Sequence, residues 1–114
     1  MEAFDDLIQF SLDHETLANE SEQLEWIARE PANAQPFYNL AQLRRMQYKQ
    51  DEGLALLLHA IALQPTHAPA HVALAEIYAV RADYRAAWTH ALAADEAGHP
   101  AALQMLERHR IPRP

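Results

Sequence analysis

Cysteine is absent from this chain of 114 residues, so it has no disulfide framework, no thiolate zinc site and no cysteine nucleophile. Glycine occurs only twice, at Gly53 and Gly98, far apart in sequence. A phosphate-cradling loop needs several glycines close together and is excluded. No apolar run approaches the roughly 20 residues that a membrane-spanning helix requires. Basic residues are outnumbered, with 9 Lys and Arg against 16 Asp and Glu and a net charge of −7. That sign is wrong for a protein whose main partner is a phosphate backbone. The N-terminus carries Glu2, Asp5 and Asp6 in place of the basic stretch and apolar run of a secretory signal. A cytoplasmic protein that takes neither nucleic acid nor a membrane as partner is therefore expected, long enough for one domain with one core.

What remains is hydrophobic and proline-punctuated: 50% of the residues are apolar, and 7 prolines stand against 2 glycines. Such a balance reads as an all-helical chain with proline at its joints. The acid is unevenly spread. Residues 1–30 carry Glu2, Asp5, Asp6, Asp13, Glu15, Glu20, Glu22, Glu25 and Glu30 but a single base, Arg29, and the rest of the chain is nearly neutral.

Two segments, 34–65 and 68–99, align when one slides by about 34 residues. Ala34 falls on Ala68, Leu40-Ala41 on Leu74-Ala75, Leu58 on Leu92 and Ala60 on Ala94. Each segment reads as a helical hairpin. Phe37, Leu40, Ala41, Leu43 and Arg44 follow a helical period, then Leu54, Leu57, Leu58, Ile61 and Ala62 after a cap at Asp51. Gln64-Pro65 ends that helix, because the residue before proline is pushed out of helical geometry. Thr66 is the expected cap of the next helix, with Pro69 in its first turn and Val72 or Ala73, Leu74, Ala75, Ile77 and Tyr78 inward. Asp83 caps a fourth helix carrying Tyr84, Ala87, Trp88, Ala91 and Leu92, and Gly98 closes it in the left-handed conformation. Small residues recur at 41/75, 53/87 and 60/94, where two antiparallel helices would approach most closely.

Phe37-x2-Leu40-Ala41-x2-Arg44, followed by Gly53-x3-Leu57, Ala60 and Pro65, resembles the tetratricopeptide repeat (TPR). His71-x2-Leu74-Ala75-x2-Tyr78, followed by Ala87-x3-Ala91, Ala94 and His99-Pro100, resembles a second copy. Phe37 and His71 stand where the family has tryptophan, Arg44 stands for a tyrosine, and the last proline comes one place late. The resemblance implies an α-solenoid, a right-handed superhelix of antiparallel helix pairs, with about three repeat units needed for stability. Residues 1–31 then read as a degenerate leading hairpin (helices over 3–12 and 14–29), 34–67 and 68–99 as the two repeats, and 100–111 as a capping helix. The whole chain is one domain of about seven helices.

No enzyme is expected. His67 and His71 are four apart, a helical metal-ligand spacing, but Pro69 lies between them and no third ligand is near. They read as a turn histidine and one at the repeat's aromatic position, and His59 and His90 as solvent-facing. The carboxylate pairs Asp5-Asp6, Asp51-Glu52 and Asp95-Glu96 are sequence neighbours, which point about 100° apart on a helix. Neither cofactor nor metal is implied.

The resemblance implies a concave groove lined by the first helix of each hairpin. Carried onto this chain, its positions are Tyr38, Gln42 and Arg45 with Asn39 beside them, then Val72, Glu76 and Ala79. A ring, an amide and a cation suit an extended peptide, and aromatic and arginine residues are enriched at binding hot spots. A clamp for a terminal carboxylate is disfavoured, since Val72 and Ala73 leave the second repeat without polar counterparts to Asn39. Arg44, Arg45, Lys49 and Arg81 fall near the ends of first helices, where cations favour the helix dipole. They would also suit an acidic partner, including residues 1–30 of the same chain. The function expected is that of a non-catalytic scaffold binding a partner protein or peptide. The alternative is a subunit that forms a homodimer through its N-terminal hairpin or C-terminal helix.

Overall fold

The computed structural model describes residues 18–114. The expected helix over 3–12, and the start of the one over 14–29, lie outside that range. The described residues are helical with no strand. Helix α1 covers 18–29, followed by α2 (Ala34–Met46), α3 (Gln50–Leu63), α4 (Ala68–Val80), α5 (Tyr84–Glu96) and α6 (Ala101–Arg108). Helix α2 packs on α3 and α4 on α5, each pair joined by a short turn that reverses the chain. Contacts of α3 with α4, α5 with α6 and α4 with α6 join the pairs into one body.

The crossings within the pairs are made at small residues. Ala41, Gly53, Ala60, Ala75, Ala87 and Ala94 are all buried. Around the first crossing, Ala41, Leu57 and Ala60 meet Leu74 and Ile77 of α4, with Phe37, Tyr38 and Ile61 packed against them. Around the second, Ala75, Ala87, Trp88 and Ala91 meet Ala102 and Leu106 of α6. Beyond α6 the chain turns back: the indole N–H of Trp88 donates to the Pro112 carbonyl at 2.8 Å, and the Arg113 guanidinium lies 4.3 Å over the same ring.

Several local expectations are corrected. Helix α3 begins at Gln50, so Lys49 and not Asp51 is its cap residue; Asp51 lies in the first turn, where a carboxylate complements the helix dipole. Helix α4 is capped by His67 and not Thr66, because the His67 Nδ1 accepts from the Ala70 N–H at 3.1 Å. Asp83 does cap α5, and Gly98 does have a positive φ of 93°. Leu58, Ala62 and Leu92 are exposed. The close approach at Gly53, Leu57 and Ala60 fixes the rotation of α3 and turns Leu58, about 100° further round, to water.

Helix α1 buries its apolar side chains only in part. Leu24 and Ala28 are exposed, while Glu20, Gln23, Trp26 and Ile27 are half-buried. Its seam with α2 is polar: Glu20 pairs with Arg44, and Gln23 accepts from the Asn39 amide at 3.1 Å.

Candidate functional site

The positions expected to line a groove do not behave as one set, and most of them fall into two groups. Tyr38 and Asn39 are tied into the scaffold. The Asn39 oxygen accepts from Gln35 Nε2 at 2.9 Å while its own amide donates to Gln23. The Gln35 oxygen in turn meets His67 Nε2 at 3.0 Å. Since His67 Nδ1 already accepts from Ala70, Nε2 carries the proton and donates to Gln35. One directed chain thus runs from the cap of α4 through α2 to α1, with both amide atoms of Gln35 and of Asn39 used for structure. The Tyr38 ring lies against His67, centroids 5.2 Å apart.

Gln42, Arg45 and Glu76 form the second group. Arg45 donates to the Gln42 oxygen at 3.0 Å and to a Glu76 carboxylate oxygen at 3.4 Å, bridging α2 and α4. Its Nε is buried without a hydrogen-bond partner. Beside this pair opens a pocket of about 540 Å³, lined by Arg45, Gln50, Glu76, Ala79, Val80 and Met105 among others. A neighbouring hollow of about 390 Å³ shares Arg45, Gln50 and Glu76 and adds Gln42 and Met46. Tyr38, Asn39 and Val72 line neither; Val72 packs instead into the core between α4, α5 and α6.

Gln50, Val80 and Met105 are pocket residues that sequence reasoning missed. Val80 and Met46 are 34 positions apart and both largely exposed, at 88% and 70%. Met105 is the fifth residue of α6, as Tyr38 is of α2 and Val72 of α4. Tyr38 and Val72 line neither hollow, so repeat equivalence by itself does not mark Met105 as a pocket residue.

The cationic cluster is largely neutralised. Arg44 pairs with Glu20 and, at 3.3 Å, with Glu52; Arg81 pairs with Asp51 at 3.0 Å. Part of the acidic leading segment therefore supplies the partner of one of these cations.

The histidines are not all solvent-facing. His90 is half-buried, with its ring parallel to Tyr78 (9° between planes) and its Nδ1 3.0 Å from Nδ1 of buried His71. His71 Nε2 meets the Pro65 carbonyl at 2.7 Å. Burial lowers the pKa of His90, with the neighbouring His71 adding to the effect. Burial likewise lowers that of His67, against the opposing backbone hydrogen bond. His59 is exposed and meets Phe37 edge-on. Among the described residues no three His, Asp or Glu side chains are grouped to hold a metal, and no helix is long and apolar enough to cross a membrane. The chain matches no family model, no curated protein and no solved structure.

Proposed function

We propose that this chain is a TPR-type solenoid acting as a non-catalytic scaffold, which holds a segment of a partner protein across the first helices of its hairpins. The observation that carries the reading is the pocket of about 540 Å³ to which α2, α4 and α6 contribute Arg45, Glu76 and Met105. The two tandem hairpins, crossing at repeat-equivalent small residues, support it as well.

The pocket's chemistry defines what it would hold. Ala79, Val80 and Met105 offer an apolar floor, and full burial of a leucine-sized side chain contributes about 1.5–3 kcal/mol. Methionine adapts to irregular shapes, which suits such a site. The Gln42 and Gln50 amides at the edge can bond an extended main chain. Because Arg45 is already held by Gln42 and Glu76, the site favours an apolar anchor over a carboxylate. The crossings keep these groups in register, so binding needs little reorganisation.

The test is selection of peptides from a displayed random library on the wild-type protein, with affinities remeasured on Val80→Asp. Val80 is exposed, so that variant should keep wild-type helicity. The expected result is peptides with an aliphatic or aromatic anchor whose affinity falls at least about tenfold on the variant, the equivalent of 1.4 kcal/mol. Peptides that bind both proteins equally would defeat the assignment.

A further inference from the structure

The joint between the two hairpins is built around a hydrogen-bonded pair of histidines. His71, on the first turn of α4, is buried and reaches Pro65, two residues beyond α3, with Nε2 and His90 of α5 with Nδ1. A carbonyl can only accept, so His71 Nε2 carries a proton and donates it to Pro65. The neutral ring then has a lone pair at Nδ1, and His90 must donate its Nδ1–H across the 3.0 Å gap. Both tautomers are thus set by one backbone carbonyl.

We propose that this pair is an acid-sensitive latch, which joins the end of α3 to the α4–α5 hairpin and is broken when both rings are protonated. A first proton can go to His90 Nε2 and leave the Nδ1–H···Nδ1 bond intact. A second has only His71 Nδ1 left, where it would set N–H against N–H and place two cations side by side. Either His71 swings away from Pro65, or the two rings separate. The folded pair can bind one proton without losing its hydrogen bond, whereas two histidines in an unfolded chain accept two.

Among the described residues the surroundings supply no counter-charge. Tyr78 of α4 stacks on His90, and His67, at the start of α4, lies close enough for its charge to act on the pair. Tyr38 and Gln35 of α2 stand against His67 rather than the pair. Among the described residues neither ring forms an ion pair with a carboxylate. Burial first and the neighbouring His71 second lower the pKa of His90, which adds to the acid sensitivity that the hydrogen-bond geometry imposes. The folded state therefore binds fewer protons than the unfolded one below about pH 6.5, and stability present above that pH is lost as the pH falls. For one excluded proton the folding equilibrium constant falls by up to about tenfold per pH unit. The latch does not depend on what the α2–α4–α6 pocket binds.

Two measurements on the full chain test it. Long-range 1H–15N spectra at pH 7.5 should show His71 protonated at Nε2 and His90 at Nδ1; the opposite tautomer at either ring overturns the proposal. Urea unfolding between pH 8 and 5 should then be compared with His90→Asn. Asparagine places an amide near the Nδ1 position, donates to neutral His71, and can turn its oxygen toward the protonated ring. The wild type should lose stability with acid more steeply than this variant, by up to about tenfold in equilibrium constant per pH unit. Parallel pH profiles would overturn the proposal, and if the variant does not fold, the tautomers decide alone.

Discussion

Gly53 and Arg45 should be energetically coupled, and the sign of a single methyl group depends on it. A Cβ at Gly53 would stand 2.8 Å from the Arg45 Cγ and 3.2 Å from the Ala41 carbonyl oxygen. The repeat-equivalent pair in the second hairpin is Ala87 with Ala79: where the first helix carries a short side chain, the second helix carries the methyl group that Gly53 lacks. Replacing glycine by alanine in a helix gains about 1 kcal/mol. Overpacking a close crossing costs about 1–3 kcal/mol. Arg45 can relieve the clash only by moving from Gln42 and Glu76, forfeiting an ion pair worth up to about 1 kcal/mol at this exposure. Gly53→Ala should therefore destabilise the protein by about 1 kcal/mol, and Gly53→Leu by more. In an Arg45→Ala background only the 3.2 Å contact remains, and Gly53→Ala should become stabilising by a few tenths to about 1 kcal/mol. Urea unfolding followed by far-ultraviolet circular dichroism, over all four members of the cycle, gives the coupling. About 1–2 kcal/mol is expected, well above the scatter for independent sites. If Gly53→Ala stabilises the wild type as much as the Arg45→Ala protein, the crossing is not tight and the account of the small residues fails.

The turn at Ala82 offers a second check, since a non-glycine residue there has φ of 60°. Ala82→Gly should stabilise by about 1 kcal/mol, and the converse change Gly98→Ala, at φ of 93°, should cost about as much; thermal melts would register both. His67→Ala should lose about 1 kcal/mol, because the Ala70 N–H loses its cap and Gln35 its donor. The lowered pKa of His67 adds a pH signature. The neutral ring stabilises the fold fully above about pH 6.5, and this contribution disappears as the pH falls and the unfolded chain takes up the proton. His67→Asn keeps a cap acceptor without titrating, so its melts should be less acid-sensitive than those of the wild type.

Periodicity and proline placement were enough to read α2 to α6 from the residues alone, as were the six small crossing sites, the Asp83 cap and the left-handed Gly98. These depend on neighbours within about one helical turn, or on a spacing that repeats. The cap expected at Thr66 misread by one residue because several polar side chains compete at a helix start, and the His67 bond to Ala70 decides there; the one expected at Asp51 misread by two, since α3 begins at Gln50 and Lys49 makes no side-chain cap bond. Leu58 and Leu92 misled for another reason. An apolar residue at a boundary position is compatible with either face, and the rotation of the helix is set by its closest contact.

The groove shows the same division. A row of α2 and α4 residues could be named from helical spacing, but which of them keep free polar atoms, and that Val72 packs inward, could not. Asn39 is consumed by Gln23 and Gln35, Arg45 by Gln42 and Glu76, and Arg44 by Glu20 and Glu52. Those partners come largely from other elements or from the next turn. Helical content and hairpin boundaries were determined by the amino-acid order itself, because local propensity and burial period act along the chain. Only the tertiary arrangement decided that His71 meets His90 and that Val80 and Met105 share a hollow with Arg45. Those contacts join residues 19 to 60 positions apart, and their distances depend on how closely whole helices pack.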